Sequence, residues 1–189
     1  FGLATFMILL IIIEKTSDSK FNPELWLSIK RLLLIFIICN FYFTIMQHLN
    51  GLYATEHHYF ENFALFSGSQ ISFLFWFGQI IIGFLTPLII IFSSRSHSLK
   101  NSLLLSSSLI IVGGFFQLYV IIVGGQSFPL ILFPGKSVSS KFFDGHIDPY
   151  NPSFVEFGLG IGGCIIALII IFVAVRILDL IPFNRERKA

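Results

Sequence analysis

SGSQISFLFWFGQIIIGFLTPLIIIF, residues 67–92, decides the fold. No charged residue interrupts it, and a helix crossing a bilayer needs about 20 consecutive, mainly apolar residues. The stretch is therefore read as a transmembrane helix, kinked at Thr86-Pro87. Working outward, three further segments are long enough to cross with some tilt: about residues 27–49, 103–123 and 154–181. At the start of the sequence, Phe1–Ile13 is apolar but too short to span alone. It lacks the basic region and small-residue cleavage site of a signal peptide, so it is read as the second half of a helix that begins upstream.

Composition points the same way. Hydrophobic residues make up 55% of the 189 positions, charged residues 12%, and mean hydropathy is +0.86. A soluble domain carries about twice that share of charge, and the 24 phenylalanines exceed what a soluble core of this size would hide. The expected fold is all-α, a polytopic transmembrane bundle of about five helices forming one domain over residues 1–189, with 1–13 as a truncated helix. Nothing in the chain suggests a soluble domain or a nucleic-acid partner. Cys39 and Cys164 stand in separate apolar runs without a CxxC pattern, which gives neither a disulfide framework nor an iron–sulfur signature.

Charge placement orients the bundle. With five segments counted, one side receives Lys15, Lys20, Lys30, Arg31, Arg95, Lys100, Arg176, Arg185, Arg187 and Lys188, and the other only Lys136 and Lys141. The positive-inside rule puts the first side, and the C-terminus, in the cytoplasm. The connections Tyr53–Glu61 and Gly124–Ser153 then face the opposite, periplasmic side. The second of these contains Pro129, Pro134, Pro149 and Pro152 and reads as an ordered surface loop.

Polar residues inside such a bundle are the ones to question. Glu156 stands near the start of the last span, where a carboxylate is costly unless paired, protonated or hydrated. It reads equally as a functional acid or as a first-turn residue favoured by the helix dipole. His48, with Asn40, Gln47 and Asn50, closes the periplasmic end of the second helix, followed by Glu56, His57, His58 and Glu61. Such groups relay protons or bind a quinone carbonyl, but a solvated polar loop is the more ordinary reading of His57 and His58. Gln79 and Gln117 lie well inside their helices, where an amide serves first as interhelical glue and second as the lining of a polar path. Arg176 and Asp179 are spaced for an i,i+3 ion pair. Gly158-Leu159-Gly160-Ile161-Gly162-Gly163 is not a nucleotide loop, since it follows no strand; Gly158 and Gly162 have the spacing of close helix packing. No span has a histidine in its middle, which argues against haem, and the adjacent histidines set up no specific metal geometry.

Several motifs are familiar in their order. Gly68-Ser69, Phe75-Trp76-Phe77, Gly83 and Thr86-Pro87-Leu88 are followed by Gly124-Gly125-Gln126-Ser127-Phe128-Pro129. Then come Phe133-Pro134-Gly135, Phe143-Asp144-Gly145 and Tyr150-Asn151-Pro152-Ser153-Phe154-Val155-Glu156. Together they resemble the C-terminal half of the NrfD/polysulfide reductase membrane subunit family, nearest to members of sulfur- and sulfite-linked redox complexes and of hydrogenases. The resemblance implies the second four-helix bundle of an NrfD-like fold in a bacterial or archaeal cytoplasmic membrane. It implies a cofactor-free subunit of a respiratory oxidoreductase complex, either quinone-reactive or non-catalytic, that exchanges electrons between the quinone pool and a ferredoxin-type iron–sulfur subunit with further redox subunits beyond. Glu156, His48, Gln79 and Gln117 would then be candidates for a proton path, and Gln126, Pro129, Asp144 and Tyr150 for a docking loop. The competing expectation is a structural membrane anchor for a periplasmic redox partner. A secondary transporter is disfavoured, because no charge lies near a midplane and Pro87 is the only breaker within a span.

Overall fold

The computed structural model describes residues 1–16, 21–55, 57–94, 99–128 and 153–177. Among these it contains six helices and no strand: α1 (Gly2–Thr16), α2 (Pro23–Tyr53), α3 (His58–Phe66), α4 (Gln70–Ser93), α5 (Leu99–Ser127) and α6 (Phe154–Ile177). Four of them, α2, α4, α5 and α6, are long and apolar enough to cross a membrane. The chain is thus an all-α, multi-pass membrane protein. The expected ion pair of Arg176 with Asp179 lies outside the described residues, as do Pro129, Asp144 and Tyr150.

Residues Phe1–Ile11 and Phe21–Pro149 form one compact unit, and Ile12–Lys20 with Tyr150–Ala189 form another. In the second unit, α6 opens with a reciprocal capping box. The Ser153 backbone N–H donates to Glu156 Oε2 at 2.9 Å, and the Glu156 backbone N–H donates to Ser153 Oγ at 3.3 Å. Such a box satisfies two of the donors that every helix start leaves unpaired.

In the first unit, α2 begins at Pro23, whose fixed φ suits a first helical position, and Asn22 caps it by accepting from the Glu24 backbone N–H at 3.1 Å. Its buried residues, Trp26, Ile29, Leu33, Ile37, Thr44 and Gly51, follow three-, four- and seven-residue steps. That spacing marks a single inward stripe, the opposite face being left for lipid. At the Trp26 end, Lys30 Nζ donates to the Ser94 carbonyl at 3.3 Å, so a cation closes the last turn of α4 where the helix dipole favours one. Lys100 Nζ sits 5.1 Å above the Trp26 ring.

Helices α4 and α5 are the principal packed pair. The middle of α4, Leu74–Leu85, is wound as a π-helix with i→i+5 hydrogen bonds, and the Thr86 N–H still bonds Ile81 O in that register. Pro87 follows at once. Its missing N–H therefore falls where the register returns to α, and the helix continues through Pro87 to Ser93. Near the far end of α5, Val120–Gly124 is wound the same way.

The segment between α2 and α4, expected as a loop, is partly helical. Its end is tied by side chains: Ser72 Oγ donates to the Phe63 carbonyl at 3.0 Å, and Trp76 Nε1 donates to the Leu65 carbonyl at 2.9 Å. Gly68, with φ of 66°, makes the reversal into α4, a backbone conformation that side-chain-bearing residues rarely adopt. These ties hold α3 against the start of α4 and so help set the position of Glu61.

Candidate functional site

Two polar features lie on one face of α2. At its far end Glu61, on α3, is 5% exposed. Its Oε2 lies 2.7 Å from His48 Nδ1. A carboxylate can only accept, so Nδ1–H donates, leaving Nε2 as the position through which the ring can exchange a proton or meet a carbonyl. The edge of the His48 ring packs on Phe75 of α4, with centroids 4.7 Å apart. Gly51 is required beside the pair: a Cβ there would lie 2.7 Å from Glu61 Cδ and collide with Glu61 Oε1.

One turn inward is Thr44, 3% exposed, whose hydroxyl donates to the Asn40 carbonyl at 3.0 Å. Asn40 itself, one turn further, lines a cavity bounded by α1, α2, α4 and α5. Asn40, Thr44 and His48 are spaced by four and share one face of the helix. The expectation that Asn40 closes the helix end is corrected here: eight residues, about 12 Å of rise, separate it from His48.

The cavity brings Asn40 together with Gln79 of α4 and Gln117 of α5, between the rings of Phe36 and Phe84. It offers about 40 Å³ to water-sized groups. Gln79 is 2% exposed, and Gln117 Oε1 is buried without a hydrogen-bond partner among the described residues. Leaving such an acceptor unpaired costs about 1–3 kcal/mol. The floor is the crossing of α4 and α5 at Gly83 and Gly113, where the two backbones touch. A Cβ on Gly83 would stand 2.9 Å from Gly113 Cα, and one on Gly113 would collide with Gly83 Cα.

Of the residues singled out in the sequence, Gln79 and Gln117 meet at this cavity, and His48 stands two turns above it. Glu156 belongs to the separate unit, where its carboxylate closes the start of its own helix. Gln126 is exposed at the end of α5. His58 Nδ1 lies 3.1 Å from the Leu52 carbonyl, a local bond that fixes the entry to α3. Sequence reasoning did not pair Glu61 with His48. The signal available was the acid's place three residues after adjacent histidines in a short apolar helix, but pairing needs the α2–α3 turn. Among the described residues no three His, Cys, Asp or Glu side chains come together as a metal site.

Fold and site together define a multi-pass helical membrane protein with uncharged amides gathered near the middle of its main bundle and a histidine–carboxylate pair at one end. The model of the family described as "Polysulphide reductase, NrfD" matches residues 1–130, well over half of the 189, and the chain belongs to that family. The match takes in both polar features and ends shortly after α5, before the second part of the long connection and α6. No curated protein and no solved structure matches the chain. Members of the family are membrane subunits of redox complexes.

Proposed function

We propose that this chain is the quinone-interacting membrane subunit of a respiratory redox complex, exchanging electrons between the quinone pool and a ferredoxin-type iron–sulfur subunit, and that His48 with Glu61 handles the accompanying protons. The carrying observation is the 2.7 Å contact between His48 Nδ1 and the buried Glu61 carboxylate at the end of a membrane-crossing helix. Oxidising a quinol to a quinone releases two electrons and two protons. The electrons pass to the iron–sulfur partner, and the protons need a group that accepts and returns them near neutral pH, the ordinary work of a histidine oriented by a carboxylate. Aromatic walls beside the pair, Phe75 foremost, suit a flat ring.

In this reading the His48 end of α2 is periplasmic, and the partner docks there, on Gln126 and the connection carrying Pro129, Asp144 and Tyr150. Gln79 and Gln117 extend the proton path inward from His48. Glu156 is left out, because its carboxylate is engaged in the capping box of α6. A link to sulfur compounds belongs to the same proposal and rests on the family's description.

The test is quinol oxidation by the intact purified complex carrying His48→Ala, Glu61→Gln or both. The proposal expects each variant to keep its partners and lose about a hundredfold in turnover, the low end of what a positioned acid or base contributes. Unchanged turnover in the double variant with partners retained would leave this chain as a structural anchor.

A further inference from the structure

The amide cavity enters the proposal above only through Gln79 and Gln117 at the inner end of the proton path, and its chemistry points to what fills it. Among the described residues no charged side chain lines it, so a neutral occupant suits it better than an ion. Three amides from three helices converge on it, yet Gln117 Oε1 faces no donor among the described residues. A buried acceptor in an apolar bundle is satisfied by a neutral hydrogen-bond donor small enough to enter. The space of about 40 Å³ fixes the size. One water needs roughly 10–15 Å³, whereas a ring such as benzene occupies a cavity of about 150 Å³.

We infer that the cavity between Asn40, Gln79 and Gln117 is a hydration site holding about one or two waters, with Gln117 Oε1 as their principal acceptor. Each water there has two to four polar partners available from the three amides and from its neighbours, which is what distinguishes a wet cavity from a dry apolar one. The placement gives the water a consequence. Asn40 is close to the middle of α2, and its carbonyl is bonded by Thr44, one turn below His48. The waters are thus the inner end of a polar ladder, Asn40–Thr44–His48–Glu61, that runs from the bundle centre to the helix end. Their presence does not depend on the quinone reading.

Radiolytic hydroxyl footprinting of the intact complex tests this, because buried side chains are labelled only where water stands beside them. The side chains to follow are Leu33, Phe84 and Ile110, which line the cavity while 2–7% exposed; Ile91 and Leu103, fully buried elsewhere, are the controls. The inference expects several-fold faster labelling of the first group, falling to the control rate in Gln79→Leu/Gln117→Leu. Equal rates in the unmodified complex would overturn it, as would loss of labelling on adding a quinone-site inhibitor, which would assign the space to the ring. Thermal unfolding of Gln117→Leu supplies a second readout. A dry cavity would be stabilised by removing its orphan acceptor, so a raised Tm counts against the inference, and an unchanged or lowered one supports it. None of these readouts uses turnover, so a failed His48 experiment and a failed hydration experiment remain distinguishable.

Discussion

Gly113→Ala should be among the most damaging single-methyl additions in this chain. The reason lies in the crossing of α4 and α5, where Gly83 and Gly113 bring backbone against backbone. Unstrained carbon contacts lie at about 3.5–4.0 Å. A Cβ on Gly83 would come to 2.9 Å from Gly113 Cα, and one on Gly113 comes closer still to Gly83. The shortfall is therefore about 0.6–1.1 Å in the milder case, and no side chain can rotate away to relieve it. The helices must separate, which breaches the cavity floor and loosens the packing on either side. Overpacking of this kind costs about 1–3 kcal/mol, and with backbone on both sides the upper half of that range is expected. At about 2–4 °C per kcal/mol for a chain of this size, Tm should fall by roughly 4–12 °C. Thermal unfolding of the intact complex in detergent, followed by size-exclusion fluorescence, reads the shift. Gly125→Ala is the control, since nothing lies within 4 Å of the Cβ it would gain. A Gly113→Ala variant as stable as Gly125→Ala would refute the close crossing and the cavity geometry built on it.

Other expectations follow from single contacts. Glu61→Leu leaves the His48 Nδ1–H without its acceptor and should cost about 1–3 kcal/mol, while Glu61→Gln, which keeps a hydrogen-bonding oxygen, should cost clearly less; the unfolding assay separates them. Gly51→Ala should lower turnover by displacing the Glu61 carboxylate, and it should do so even where Tm shows the fold is kept. Ser153→Ala removes an N-cap and should destabilise the first turn of α6 by about 0.5–2 kcal/mol, seen as faster hydrogen exchange there with quinol turnover unchanged.

The sequence made the spans legible because lipid imposes a crude requirement, length without charge, which residues 67–92 meet outright. It also made Gln79 and Gln117 suspect, since an amide needs partners in an apolar bundle. What it could not convey is that Asn40 joins them. On paper Asn40 groups with Gln47, His48 and Asn50, and only the inward stripe of α2 separates it from those neighbours. The π-wound stretch of α4 was hidden for a related reason: hydrogen-bond register leaves no compositional mark beyond Pro87 at its end. In sequence Glu61 reads as part of a polar loop, because the connection between two spans defaults to solvent. The ties from Ser72 and Trp76 that fold it back as a helix involve residues beyond the turn. Glu156 shows the opposite case, where S-x-x-E before an apolar run announces a capping box that the functional reading set beside it.

The central claim, that this chain meets quinone beside His48 and Glu61, is tested most directly by photolabelling the intact complex with an azido-quinone and mapping the modified peptides. The account predicts label on residues 44–63 or around Phe75, reduced by excess unlabelled quinone and lost in His48→Ala/Glu61→Gln. Label confined to other subunits, or to parts of this chain away from both segments, would contradict it.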